Sequence, residues 1–459
     1  MRNILIVFTI VCCSLSGFSQ PGNPYSFTLQ RAIDVAINSS YTALNARREI
    51  AKSLQRKWEA IAMGLPQING TVNYNNNLRQ PVTLIPGEFN GGPAGSFVPV
   101  TFGTKQNANV VATLNQLIFD GSYLVGLEAA TVYLDFTENM AEKATLDLRK
   151  GIINAYGSVL LAEELVAVFE KNKATLEKNL SETREIYYNG LTEEENVEQL
   201  EITLLDVDTQ LNNARRSVVI ARQMFNVALG IPTEAQVTFE DNMGALAEHH
   251  IKLQYLEQAL SVENNIDYRI AHNLTEQRSL EMKLEQSKAL PRLSGFVNYA
   301  TSANGNSFTF FDNNQKWFQS SVLGLSLDVP VFSSGLRDAR TQRARIALDQ
   351  AKTDLEETVQ NVTLQLNTAK SNYQFSIERY ENAKKNLALA ERIENKNQVK
   401  FTEGLSTSFE LRQAQRQLYS AQQQYFQSML DLINAKAEIE TVLNIPQLRV
   451  ESKYVKGKY

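Results

Sequence analysis

The stretch LPQINGTVNY, Leu65–Tyr74, recurs 225 residues later as LPRLSGFVNY, Leu290–Tyr299, with six of ten positions identical. Within the first copy Ile68, Gly70, Val72 and Tyr74 share one face of an extended chain, and Asn69, Thr71, Asn73 and Asn75 share the other. Alternation with a period of two predicts a strand with one apolar and one polar face. The proline just before it, Pro66 or Pro291, ends a preceding helix and forces the chain to extend.

Other marks recur in the same order. Leu29-x-x-Ala32 opens the first half and Leu256-x-x-Ala259 the second; QLIFDGS around Phe119 answers VPVFSSG around Phe332 as a strand end. YNGLT at Gly190 answers TEGLS at Gly404, and the halves close on LGIP at Pro232 and LNIP at Pro446. Gly190 to Pro232 and Gly404 to Pro446 are both 42 residues, and Phe119 to Gly190 and Phe332 to Gly404 are 71 and 72. Equal spacing of ordered marks is the signature of an internal duplication. Only the stretch between strands differs much, through inserts at Pro86–Gly95 and Asn304–Lys316, where surface loops tolerate length change.

Three more segments alternate. Ala108, Val110, Ala112 and Leu114 oppose Asn107, Asn109, Thr113 and Asn115; Leu293, Val297 and Tyr299 oppose Ser294 and Asn298; Leu323, Leu325, Leu327 and Val329 oppose Ser320, Ser326 and Asp328. Each is about 10 residues, the length of a tilted strand crossing a bilayer. The polar faces are amides and hydroxyls rather than charges, as in a water-filled lumen. Four strands cannot close a barrel, and a membrane sheet cannot leave open edges. Two chains would supply eight strands and three chains 12.

The rest reads as helix. No proline falls between Pro99 and Pro232 or between Pro330 and Pro446. Gly121 to Asn189, 69 residues, makes about 100 Å of continuous helix, and the return from Thr192 to Leu229 covers about half of that. In the second long helix the apolar seam runs Leu348, Ala351, Leu355, Val359, Val362, Leu366, Ala369, Tyr373, Ile377, Tyr380, Ala383, Leu387, Ala390, Ile393, or 3.46 residues per step. This is close to the 3.5 of a left-handed coiled coil. The glycines Gly190 and Gly404 predict helical hairpins, with Thr192 or Ser406 as cap of the returning helix and Glu193, Glu194 and Glu195 in its first turn.

Composition narrows the function. With 45 Lys and Arg against 50 Asp and Glu the net charge is −5, which argues against nucleic acid as a partner. Residues 1–20 read as a secretory signal and contain both cysteines, Cys12 and Cys13, so the mature chain has no thiol. No later apolar run is expected to make a transmembrane helix. His249, His250 and His272 make no metal pattern, the first two lying in a linker-like stretch, and the carboxylates form no catalytic constellation. No cofactor, metal or catalytic residue is expected. The expected layout is signal 1–20, first repeat 21–232, equatorial linker 233–252, second repeat 253–446 and equatorial tail 447–459.

Taken together these marks resemble the TolC-type outer-membrane efflux duct family, from about Phe27 to Pro446. The resemblance implies a mainly α fold with membrane β: a homotrimer whose chains give four strands each to a 12-stranded barrel in outer-membrane lipid, continued by a long periplasmic α-helical barrel. Such a duct passively conducts substrates from an inner-membrane transporter and a periplasmic adaptor (membrane fusion) protein. A type I protein secretion duct and a periplasmic coiled-coil scaffold are the alternatives. The hairpin residues Gly190, Leu191, Thr192, Gly404, Leu405 and Ser406 would be the adaptor-docking tips, and residues 233–250 and 447–459 would form an equatorial belt. The inserts would be extracellular loops. Family channel entrances are often ringed by acids beyond the second tip; the matching positions here are Glu410 and Gln413, with Asn196 in the first half. A family tyrosine and arginine flanking the tip glycine are replaced by Phe401 and Ser406.

Overall fold

The computed structural model describes residues 25–257 and 261–445. The expected signal with Cys12 and Cys13, Ala259, Pro446 and the expected tail 447–459 lie outside the described residues. The elements run β1 (Tyr25–Phe27), α1 (Leu29–Ser39), α2 (Tyr41–Ala62), β2 (Gln67–Asn76), β3 (Val82–Pro86), β4 (Phe97–Thr101), β5 (Gln106–Phe119), α3 (Gly121–Tyr188), α4 (Glu194–Leu229), β6 (Val237–Phe239), α5 (Met243–His249), α6 (Gln254–Glu257), α7 (Ile266–Ser287), β7 (Arg292–Gly305), β8 (Phe318–Asp328), α8 (Leu336–Thr402) and α9 (Ser408–Val442). The long helices α3 and α8 have 68 and 67 residues, and the returning helices α4 and α9 have 36 and 35. Two compact units draw on both halves of the chain: Met1–Ile50 with Glu138–Ile270 and Glu356–Tyr459, and Ala51–Thr137 with Ala271–Leu355.

The second unit holds the sheet, in the order β2-β5-β7-β8 with every pair antiparallel. The register stacks the alternating faces expected from the sequence: Ile68 pairs with Leu114, Leu114 with Val297 and Val297 with Leu323. Leu323 and Val72 on this apolar face are 78% and 74% exposed. Phe296 interrupts the polar face and lies over Gly324, where a Cβ would stand 2.4 Å from the ring; only glycine admits that contact. β8 ends at Asp328, four residues short of the expected end at Phe332, because Pro330 has no N–H for the ladder. The first insert, expected as a plain loop, lies within a hairpin of β3 and β4. A two-stranded ribbon tolerates Pro99, whose missing N–H costs nothing on an open edge.

The first unit is a helical body with a small parallel pair, β1 against β6. Its core includes Phe27, Ile33, Ile152, Tyr156, Phe225, Leu229, Tyr373 and Ile433. Phe225 meets Phe27, Tyr156 and Phe239 at centroid distances of 6.0, 5.9 and 5.1 Å. Tyr156 donates its hydroxyl to Asp241 at 2.9 Å, and the same carboxylate oxygen accepts the Leu29 N–H at 2.7 Å, tying the start of α1 to the β6–α5 connection. Contrary to the sequence reading, α3 contains an 18-residue stretch apolar enough in composition to cross a membrane. Ile152, Ile153, Tyr156, Val159 and Leu160 of this helix are all in the core, and 44% of the apolar stretch is buried. The α8 seam is buried or half-buried from Leu348 to Ala390, but Ile393 is exposed; beyond Ala390 the inward positions pass to Glu394 and Gln398.

His250, expected in a linker, is 7% exposed. Its Nδ1 lies 2.6 Å from the Leu246 carbonyl, which only accepts, so the Nδ1–H donates. Nearby, Glu440 accepts from Arg149 at 2.7 Å, Lys436 at 3.2 Å and the Tyr255 hydroxyl at 3.1 Å. Burial first, then the Lys436 charge, pull the His250 pKa from 6.5 down to about 4. A depressed folded pKa means that the unfolded chain takes the proton first, so stability falls as pH drops from about 6.5 towards 4, by on the order of 3 kcal/mol per chain. Thermal unfolding in mild detergent should show this loss over that window, and His250→Gln should flatten it.

Candidate functional site: the paired hairpin tips

Both hairpins are built alike. Helix α3 ends with the Gly190 N–H on the Tyr187 carbonyl and the Leu191 N–H on the Ile186 carbonyl, at 2.8 and 3.1 Å. Helix α8 ends with the Gly404 N–H on Phe401 and the Leu405 N–H on Lys400, at 3.0 and 2.7 Å. These are Schellman closures, and they need the left-handed φ of +73° at Gly190 and +70° at Gly404. The closure usually buries the residue after the glycine. Here Leu191 and Leu405 are each 78% exposed, so each tip holds out a bare leucine on a rigid turn.

The caps differ from the sequence expectation. Helix α9 is capped by Thr407, not Ser406: Thr407 Oγ1 accepts the Glu410 N–H at 3.3 Å and the Glu410 carboxylate accepts the Thr407 N–H at 3.2 Å. Ser406 instead donates its hydroxyl to Glu410 at 2.6 Å. In the first hairpin Glu193 occupies the cap position without a side-chain bond, leaving Glu194 and Glu195 in the first turn of α4. Thr192 accepts from Asn196 Nδ2 at 2.8 Å. Thr-x-x-Glu at Thr407 and Glu410 is a capping-box signal legible in the sequence; the choice of Ser406 overlooked it by one residue.

Glu410 is exposed, and bonds from Ser406 and then the Thr407 N–H hold its carboxyl below the usual range. Gln413 is exposed one turn on. Asn196 is turned towards the other hairpin, where Ser408 donates its hydroxyl to Asn196 Oδ1 and lies 3.3 Å from Gln199 Oε1. The sequence reading missed Ser408, a 3% exposed hydroxyl that links the two tips within one chain.

Further polar rungs join the helices of this unit. Asn179 and Gln398 exchange two amide bonds of 2.9 and 3.1 Å between α3 and α8, and Asn172 bonds Gln422 of α9 at 3.0 Å. Burial raises the pKa of Glu394 and, together with the Glu394 charge, that of Tyr419. Isolated polar rungs in an apolar seam fix register at a cost in stability. No group of three or more His, Asp or Glu among the described residues is placed to hold a metal ion.

Removing the cap tests this tip geometry. Thr407→Ala should weaken the first turn of α9 by ~1 kcal/mol, which reads as roughly fivefold faster amide exchange around Phe409–Leu411. Ser408→Ala should speed exchange in both hairpins, because it removes the bond between them.

The model of the outer membrane efflux protein family matches residues 257–444. No curated protein sequence matches the chain. Among solved structures, the outer membrane protein VceC of Vibrio cholerae is similar at 15% identity and TM-score 0.69, covering 90% of this chain and 95% of its own. The outer membrane channel CmeC of Campylobacter jejuni is similar at 13% identity and TM-score 0.71, covering 90% and 85%. The open state of the MtrE outer membrane channel of Neisseria gonorrhoeae is similar at 15% identity and TM-score 0.65, covering 93% and 90%. Residues 257–444 thus match the outer membrane efflux protein family model, and over nine-tenths of its length the chain has the fold of the outer membrane channels.

Proposed function

We propose that the protein is the outer-membrane exit duct of a tripartite efflux system, and that it works as a homotrimer without chemistry of its own. The observation that carries this reading is the sheet. Its apolar face is open, its opposite face is lined with amides and hydroxyls, and β2 and β8 are unpaired edges. In lipid those edges must find partners, and joining β8 of one chain to β2 of the next three times over closes a 12-stranded barrel. The amide face then lines the pore. The two repeats, 21–232 and 253–446 with the segment 233–252 between them, would each supply one strand hairpin and one helical hairpin.

The tips Gly190–Thr192 and Gly404–Ser406 would meet a periplasmic adaptor, which in turn engages an inner-membrane transporter. The support is chemical: paired exposed leucines on glycine-closed turns suit an apolar socket. Glu410 would stand near the pore entrance, three copies in the trimer, with Gln413 beside it. Asn196 serves the intrachain link to Ser408, so any gate here is wired through amides and hydroxyls rather than through a charged latch.

The mass of the particle extracted from outer membranes in mild detergent, corrected for bound detergent, should be about three times the 51.6 kDa chain less its signal. A monomer released by a salt wash would overturn the duct reading in favour of a periplasmic scaffold. For the tips, Leu191→Ser combined with Leu405→Ser should abolish dye efflux from cells while trimer mass and single-channel conductance stay unchanged. Normal efflux by that variant would remove the leucines from adaptor docking.

A further inference from the structure

We propose that the segment between β7 and β8 is a membrane-interface collar: it folds outward over the apolar face of the sheet and sets its aromatic rings into the boundary between headgroups and acyl chains of the outer leaflet. This rests on the duct reading above and adds to it a lipid contact made by a loop.

Cross-strand pairing decides which face the loop covers. Tyr74 pairs with Ala108 and Ala108 with Ala303, and these residues continue the row Val72, Val110 and Thr301 on the apolar face. Phe310 lies on Ala108 and Ala303 and is 6% exposed. Two alanines at this height leave the shelf into which the ring fits. Tyr74 meets Phe308 and Phe310 edge-on at 5.5 and 5.7 Å, Phe308 meets Phe310 at 5.6 Å, and Trp317 lies 6.5 Å from Phe310. Gln315 closes the loop on itself, accepting from the Thr309 hydroxyl at 3.0 Å and donating to the Asn304 carbonyl at 3.3 Å. The segment is thus bound to the side opposite the amide face and does not lean over a pore mouth.

What the cluster leaves bare points to its partner. Phe311 is 88% and Phe308 59% exposed, an apolar patch continuous with the open face of the sheet. Height agrees. β5 and β7 each have 14 residues, about 46 Å along the strand; at a tilt near 40° they rise about 35 Å, beyond the ~25 Å apolar band of an outer-membrane barrel. The end at Ala303 therefore stands at the edge of that band, where aromatic side chains gather because one end of the ring is dry and the other wet.

The chain has two tryptophans, Trp58 and Trp317, so Trp58→Phe leaves Trp317 as the sole reporter. The full-length protein carrying this change is reconstituted into phosphatidylcholine vesicles with a quencher at the headgroup, near the top of the acyl chain, or near its end. Shallow quenchers should reduce Trp317 emission at least twofold more than the deep one. Quenching by aqueous iodide alone, by no quencher, or chiefly by the deep one would overturn the collar, the second outcome being that of a ring buried against a neighbouring chain. A parallel protein with Trp58→Phe, Trp317→Phe and Leu325→Trp separates the two readings: quenching of that tryptophan by the deep lipid supports the barrel whatever Trp317 does. If it is not quenched by any lipid, the barrel itself fails.

Discussion

Backbone satisfaction at the edges of one four-stranded sheet governs the rest of this molecule. β2 and β8 each present a row of N–H and C=O groups with no strand partner among the described residues. In water such edges invite aggregation; in hydrocarbon each unsatisfied group costs several kcal/mol. The open apolar face adds a second demand, since Leu323, Leu325 and Leu327 together with Ile68 and Val72 are exposed. Both demands are met by one arrangement, a closed barrel of several chains with lipid outside. The fold is that of the outer membrane channels, and residues 257–444 match the outer membrane efflux protein family model.

The helical unit solves a different problem. Helices of 68 and 67 residues cannot be stabilised by one compact core, so stability is distributed along seams. Small side chains such as Ala369, Ala390 and Ala421 permit close approach. Amide rungs at Asn179–Gln398 and Asn172–Gln422 set the register that an alanine-rich seam leaves loose. The aromatic cluster around Phe225 belongs to the larger buried core of this unit, and the Glu440 ion group lies among the same helices. It joins α1, β1, β6 and α5 to the long helices. Toward the tips the bond from Ser408 to Asn196 adds a polar tie between the hairpins beside the apolar cluster of Leu176, Leu180, Val197 and Leu200, against which Tyr419 packs. A polar tie can be exchanged for water at small net cost.

Repeats, periodicity and prolines were legible without coordinates because they act locally. Pro66 and Pro291 mark where a helix must give way to a strand, Gly190 and Gly404 mark where a helix must reverse, and alternation in Ile68–Tyr74 assigns faces whatever the pairing. The seam from Leu348 to Ala390 was readable for the same reason, as a period of the chain itself. Its failure at Ile393 marks where local apolarity stopped predicting burial and the neighbouring helix began to decide.

The sequence by itself determined the long helices, the two faces of each strand of the four-stranded sheet and the hairpin turns, since all of these follow from φ/ψ preference and side-chain period. Tertiary structure alone decided that Thr407 rather than Ser406 caps α9, that Asn196 is tied to Ser408, that His250 is buried among Leu246, Lys436 and Glu440, and that Phe310 lies on the apolar side of the sheet. Each of these depends on a partner tens to hundreds of residues away or on a one-residue choice of cap. No local period encodes which of several allowed neighbours a side chain meets.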